Sequence, residues 1–149
     1  MAIARGAGTE IIRSVHLEQV NTTDEEVIFG VAHHIYTVLS IVVHAVSVQA
    51  DGNFIHCYLV GYDAAGGTSA QEIHIFKQDM SLAQTYVWND KFSFMGNEPT
   101  DFTAGLDSAA KQDAIADQAQ ATAQILKIVA ENGSDNFDVT CTFLDQNNA

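Results

Sequence analysis

The chain has 149 residues, 47% of them hydrophobic and only 17% charged, with 6 Lys+Arg against 19 Asp+Glu for a net charge of −13. That length fits one domain, large enough to fold without a disulfide or a metal. The acidic balance argues against direct contact with nucleic acid or an anionic membrane surface, whose phosphates it would repel, and suits a solvated surface or one facing a basic protein patch.

Residues 1–9 read as an N-terminal arm, because Arg5-Gly-Ala-Gly8 has two glycines and little to bury. Such an arm is either disordered or ordered against a neighbouring subunit. No apolar stretch follows Arg5 as it would in a signal peptide. The longest apolar stretch, Ile35–Val48, is interrupted by Tyr36, Thr37, Ser40, His44 and Ser47 and is too short to span a bilayer. A protein folded in a cytoplasm is expected.

Residues 10–149 read as a single domain. Glu10–Val20 alternates partially, with Ile11, Arg13, Val15, Leu17 and Gln19 on one strand face. Asn21–Glu26 is a polar turn, and Val27–Val31 a short apolar run. In Ile35–Val48 both strand faces are apolar and β-branched, which predicts a strand covered on both sides. Asp51-Gly-Asn53 is a hairpin signal that predicts Phe54–Tyr62 returning beside it as a central strand pair. Ala64–Ser69 reads as a loop, Glu72–Gln78 as a short strand and Met80–Gln84 as a turn.

Thr85–Met95 alternates clearly, with Tyr86, Trp88, Phe92 and Phe94 facing one way; Asn89-Asp90 marks a bulge or tight bend within it. After a loop holding the only proline, Pro99, residues 106–118 read as a short helix, capped by Asp107 or Ser108, or as an ordered loop. Ala121–Ala130 and Asn136–Asp145 complete the chain as strands joined by the Glu131–Asp135 turn. The sum is an all-β fold, an antiparallel β-sandwich of jelly-roll type with 6–8 strands and one short helix or ordered loop near 106–118.

No sequence motif for catalysis, nucleotide binding or a metal cage is present, so no enzyme, no catalytic residue, no cofactor and no metal are expected. His44, His56 and His74 fall on apparent neighbouring strands and would form a metal site if they faced each other, but they lack ligand spacing, and ordinary strand histidines are the expectation. For His33-His34, one ring in and one out is expected. Asp107, Asp113 and Asp117 lack calcium-loop spacing. Trp88 and Tyr86 would bind a sugar if exposed, but are expected in the core or at a protein interface. Cys57 and Cys141 read as buried free thiols, with a disulfide between them as the alternative.

The run from Tyr36 onward, VLSIVVHAVSV, FIHCYLVGYD, IHIFKQDMSLAQTYVWNDKFSF and ILKIVAENGSDNFDVTCTFLDQ, together with RGAGTEIIRS, EPTDF and KQDAIADQ, resembles small β-sandwich structural proteins of marine tailed phages. The resemblance implies a virion component assembled in the host cytoplasm. A capsid decoration (cement) protein that forms homo-oligomers and bridges subunits of a major capsid protein is the first expectation. A tail, head–tail connector or fibre-base module, contacting another tail protein or a host glycan, is the alternative. The arm and the loop regions nominate Ile3, Arg5, Ile11, Arg13, Phe102, Leu106 and Ile115 as interface residues.

Overall fold

The computed structural model describes residues 8–49, 52–63, 68–97, 107–116 and 123–148. In chain order these form β1 (Thr9–Val20), β2 (Glu25–Phe29), β3 (His34–Ser47), β4 (Phe54–Asp63), β5 (Thr68–Asp79), β6 (Thr85–Trp88), β7 (Phe92–Met95), α1 (Ala109–Ala116), β8 (Ile125–Ala130) and β9 (Asn136–Asn147). One sheet has the order β1-β9-β3-β6, with β7 also pairing to β3; the other has the order β2-β8-β4-β5. Every ladder is antiparallel. Because β6 and β7 share one lane beside β3, nine segments fill eight lanes. Their order is that of a jelly roll.

The core lies between the sheets. Ile41, Val43, Phe137, Val139 and Phe143 from the first sheet meet Ile55, Cys57, Leu126 and Ile128 from the second, all buried. On β9 the inward set is strictly alternating, as expected: Phe137, Val139, Cys141 and Phe143 are buried. On β3 the structure corrects the expectation of a strand covered on both sides. Val38 pairs with Phe143 but Ser40 with Thr142, so β3 carries an extra residue at Leu39. This bulge switches the inward set from Tyr36 and Val38 to Ile41, Val43 and Ala45, all buried. Both sequence faces look apolar because each supplies the core on its own side of the bulge. The opposite face is open, with Val46 exposed.

The expected β3–β4 hairpin is also corrected. β3 and β4 belong to different sheets, as do β8 and β9, so each turn carries the chain across the sandwich. Gly52, at φ +73°, serves the first crossing. Turn chemistry signals a reversal but does not say whether the returning strand pairs or stacks. The true hairpin follows: β4 and β5 pair along their length, and β5 begins at Thr68, well before the expected start.

Other expectations stand. The lane of β6 and β7 is broken at Asn89–Lys91, where Ile41 pairs with Trp88 but Val38 with Phe92. Tyr86 and Trp88 pack on Phe76 of the facing sheet, with ring centroids 5.3 and 5.7 Å apart. α1 follows Ser108, whose carbonyl accepts the Gln112 N–H at 3.1 Å. β1 begins at Thr9, within the expected arm, and the Gly8 N–H donates to the Asn147 carbonyl. Residues 1–7 lie outside the described residues.

Candidate functional site

Two polar clusters and one apolar edge stand out. The first cluster is at the end of the sandwich where β1 and β2, the edge strands of the two sheets, come together. Asp145 continues the inward alternation of β9 after Phe143, so the strand's own period buries a carboxylate; it is 1% exposed. Arg13, opposite Phe143 on β1, donates through Nη1 to Asp145 Oδ2 at 3.1 Å. His34, at the start of β3, places Nδ1 2.7 Å from Asp145 Oδ1. The Arg13 guanidinium also lies 5.5 Å over the Phe143 ring.

Beside this cluster is a cavity of about 310 Å³, lined by Arg13, Val15, Phe29, Val31, Tyr36 and Phe143 among others. The Tyr36 hydroxyl accepts the Val31 N–H at 3.2 Å and so fixes one wall. Close backbone packing shapes the same end. The Gly30 N–H donates to the Gln124 carbonyl and the Gln124 N–H to the Gly96 carbonyl, both at 2.8 Å. A Cβ on Gly96 would meet the Val31 carbonyl oxygen at 1.8 Å, so only glycine permits this approach. At the rim, large apolar side chains are open to solvent: Phe29 is 56% exposed, Val31 50% and Ile11 42%. Among the described residues β1 pairs with β9 alone.

The second cluster lies on the outer face of the β2-β8-β4-β5 sheet. His56 pairs with Lys77, Cys57 with Phe76, and Tyr58 with His74, so Ile75 is an extra residue on β5. Without this bulge His74 would oppose Leu59 and point inward. With it, His74 joins His56 and Tyr58 on the outer face. His56 Nε2 lies 2.6 Å from His74 Nδ1, with ring centroids 4.6 Å apart and planes 14° apart. Desolvation, then the adjacent His74 and Lys77, lower the His56 pKa below its ordinary 6.5; Glu131 and Glu72 oppose this. Lys77 is paired with Glu131, and its ammonium lies 4.8 Å over the Phe54 ring. The Tyr58 hydroxyl donates to Asp24 Oδ2 at 2.6 Å, with Lys127 Nζ 3.9 Å from the same oxygen. Burial, and then this bond to a carboxylate, raise the phenol well above its ordinary value.

Of the three histidines named from sequence, the structure brings together His56 and His74. His44 is on the other sheet, where Nδ1 meets Thr85 Oγ1 at 2.9 Å. Among the described residues no group of three His, Cys, Asp or Glu side chains is placed to hold a metal ion. Of the nominated interface residues, Ile11 and Arg13 lie on β1 at the exposed rim, with Ile11 opposite Asp145. Ile115 lies in α1, but its side chain is outside the described ones, and Ile3, Arg5, Phe102 and Leu106 are outside the described residues. Cys57 and Cys141, on opposite sheets, are both buried free thiols. Burial pushes Cys141 up to about 12 and Cys57 still higher, with Cys141 adding to the shift at Cys57.

Sequence reading missed Asp145, Phe29 and Val31. The signal for Asp145 was present, since it occupies the next inward position after Phe143. For Phe29 and Val31 there was none, because exposure of a short apolar run depends on what packs over it.

No family model matches the chain, and no curated protein matches it. A solved structure described under "Bacillus endospore appendages form a novel family of disulfide-linked pili" aligns at 11% identity, covering 100% of this chain and 97% of that one, with a TM-score of 0.43. A likeness at that level does not establish kinship.

Proposed function

We propose that this protein is a non-enzymatic structural subunit of a virion, acting as a capsid decoration protein that associates with itself and with a major capsid protein through its β1–β2 end. The observation that carries the reading is the solvent-open apolar rim of Ile11, Phe29 and Val31 beside the edge of a 12-residue strand that pairs, among the described residues, with β9 alone. Contiguous exposed apolar surface marks a contact site, and a long unpaired strand edge is a template for pairing with another chain. Many weak contacts of this kind, multiplied by copy number, hold a shell together without any single strong one.

The test is assembly. The purified chain is expected to elute as a multiple of its monomer mass by light scattering, and Phe29→Asp to shift it towards monomer with an unchanged β-sheet circular dichroism spectrum. Deleting residues 1–8 is expected to lower occupancy on purified capsids. A wild-type chain that stays monomeric and leaves capsids bare overturns the reading, and immunogold labelling of tails alone would move it to a tail module.

A further inference from the structure

We propose that His56 and His74 form a surface site for a divalent first-row transition metal ion, with copper(II) held more tightly than zinc(II). The inference is independent of the virion reading. Its basis is geometric: a bulge at Ile75 turns His74 outward, onto the face and beside the strand that already present His56. Bulges of this kind re-aim side chains, and here the outcome is two imidazole nitrogens converging at 2.6 Å.

Two neutral imidazoles this close share one proton between Nε2 of His56 and Nδ1 of His74. Moving the protons to Nδ1 of His56 and Nε2 of His74 leaves both facing lone pairs free without net loss of a proton. Metal–imidazole bonds of about 2.0–2.1 Å at a tetrahedral angle need the nitrogens about 3.3 Å apart, an opening of roughly 0.7 Å from the 2.6 Å pair. His74 is exposed and His56 half-buried, so small side-chain rotations supply it. With no third protein ligand among the described residues, water fills the remaining positions. Imidazole donors suit copper, zinc and nickel, and the ordinary affinity order places copper(II) first. Lys77, the nearest fixed cation, is engaged by Glu131.

The experiment is calorimetric titration of the full-length, metal-stripped chain with copper(II) sulfate and with zinc(II) chloride at neutral pH. One site per chain is expected, weakened by about tenfold or more in His56→Ala and in His74→Ala, and unchanged in His44→Ala. Paramagnetic resonance of the copper-loaded wild type is expected to show two nitrogen donors. Should an alanine variant lose its β-sheet spectrum, His74→Gln, which retains a hydrogen-bonding side chain but no imidazole, takes its place. No binding by the wild type, or equal binding by the wild type and the His56 variant, overturns the proposal.

Discussion

The Arg13–Asp145–His34 cluster and the His56–His74 pair are both polar groupings made by neighbouring strands, but they occupy opposite settings. Asp145 lies on the inward face of β9 and is shut away from water, with Arg13 and His34 brought to it from β1 and β3. His56 and His74 lie on the outward face of β4 and β5, and a bulge rather than the regular alternation brings them together. A buried carboxylate depends on its donors because water cannot replace them. Imidazoles that reach solvent, as exposed His74 and half-buried His56 do, have water as an alternative partner, so their pairing adds little to stability and leaves them available to a ligand.

That contrast can be broken by the same operation at each place. The double variant Arg13→Ala/His34→Ala strips these two donors from a buried carboxylate and is expected to lose about 3 kcal/mol in urea denaturation. His56→Ala/His74→Ala removes a half-buried and an exposed group on the outer face and is expected to lose about 1 kcal/mol or less. Equal losses would mean that burial does not separate the two clusters. Adding Asp145→Asn to the first variant sharpens the test, since removing the stranded charge should recover part of the loss.

The sequence made the regular parts of this contrast legible and the irregular parts not. Alternation in Asn136–Asp145 and Thr85–Met95, and the break at Asn89-Asp90, are visible because each strand follows a period of two on either side of its turn or bulge. The sandwich class follows from strand number and turn spacing. The bulges at Leu39 and Ile75 are not visible, because the extra residue is defined only against the partner strand. That is why β3 reads as covered on both sides, and why the meeting of His56 with His74 is hidden in the sequence; His44 stays apart because β3 belongs to the other sheet. The Asp51-Gly-Asn53 turn shows the same limit. Its residues permit a sharp reversal, but packing across the core decides that the next strand joins the other sheet.

Between the buried and the exposed extremes lies Tyr58, whose ring is buried while its hydroxyl reaches Asp24 at the sheet's outer face. Tyr58→Phe keeps the ring and removes the donor. A loss of about 1 kcal/mol is expected, the ordinary net worth of one hydrogen bond. A loss no larger than that of an exposed substitution would place this bond with the His56–His74 pair. A loss near that of the Arg13/His34 double variant would place it with the buried cluster. Urea denaturation of the same series decides between them.

The smallest expected effect is the pH dependence contributed by His56. Its folded-state pKa is lowered, by desolvation first and by the adjacent His74 and Lys77 after it, so the folded chain takes up this proton less readily than the unfolded chain does. The unfolded state therefore binds more protons as pH falls below about 6.5, the ordinary histidine value. The stability associated with neutral His56 is fully present above that pH and is lost as pH falls from there through the folded-state value. In metal-free protein, the wild type is expected to lose slightly more stability than His56→Gln between pH 7 and pH 5, and the imidazole resonances of His56 to titrate below those of an unfolded histidine. A His56 that titrates at or above 6.5 would mean that Glu131 and Glu72 outweigh desolvation and the neighbouring basic groups. The outer-face pair would then be a protonated, charge-compensated cluster rather than two neutral rings sharing a proton, which is a different chemical object from the one the geometry describes.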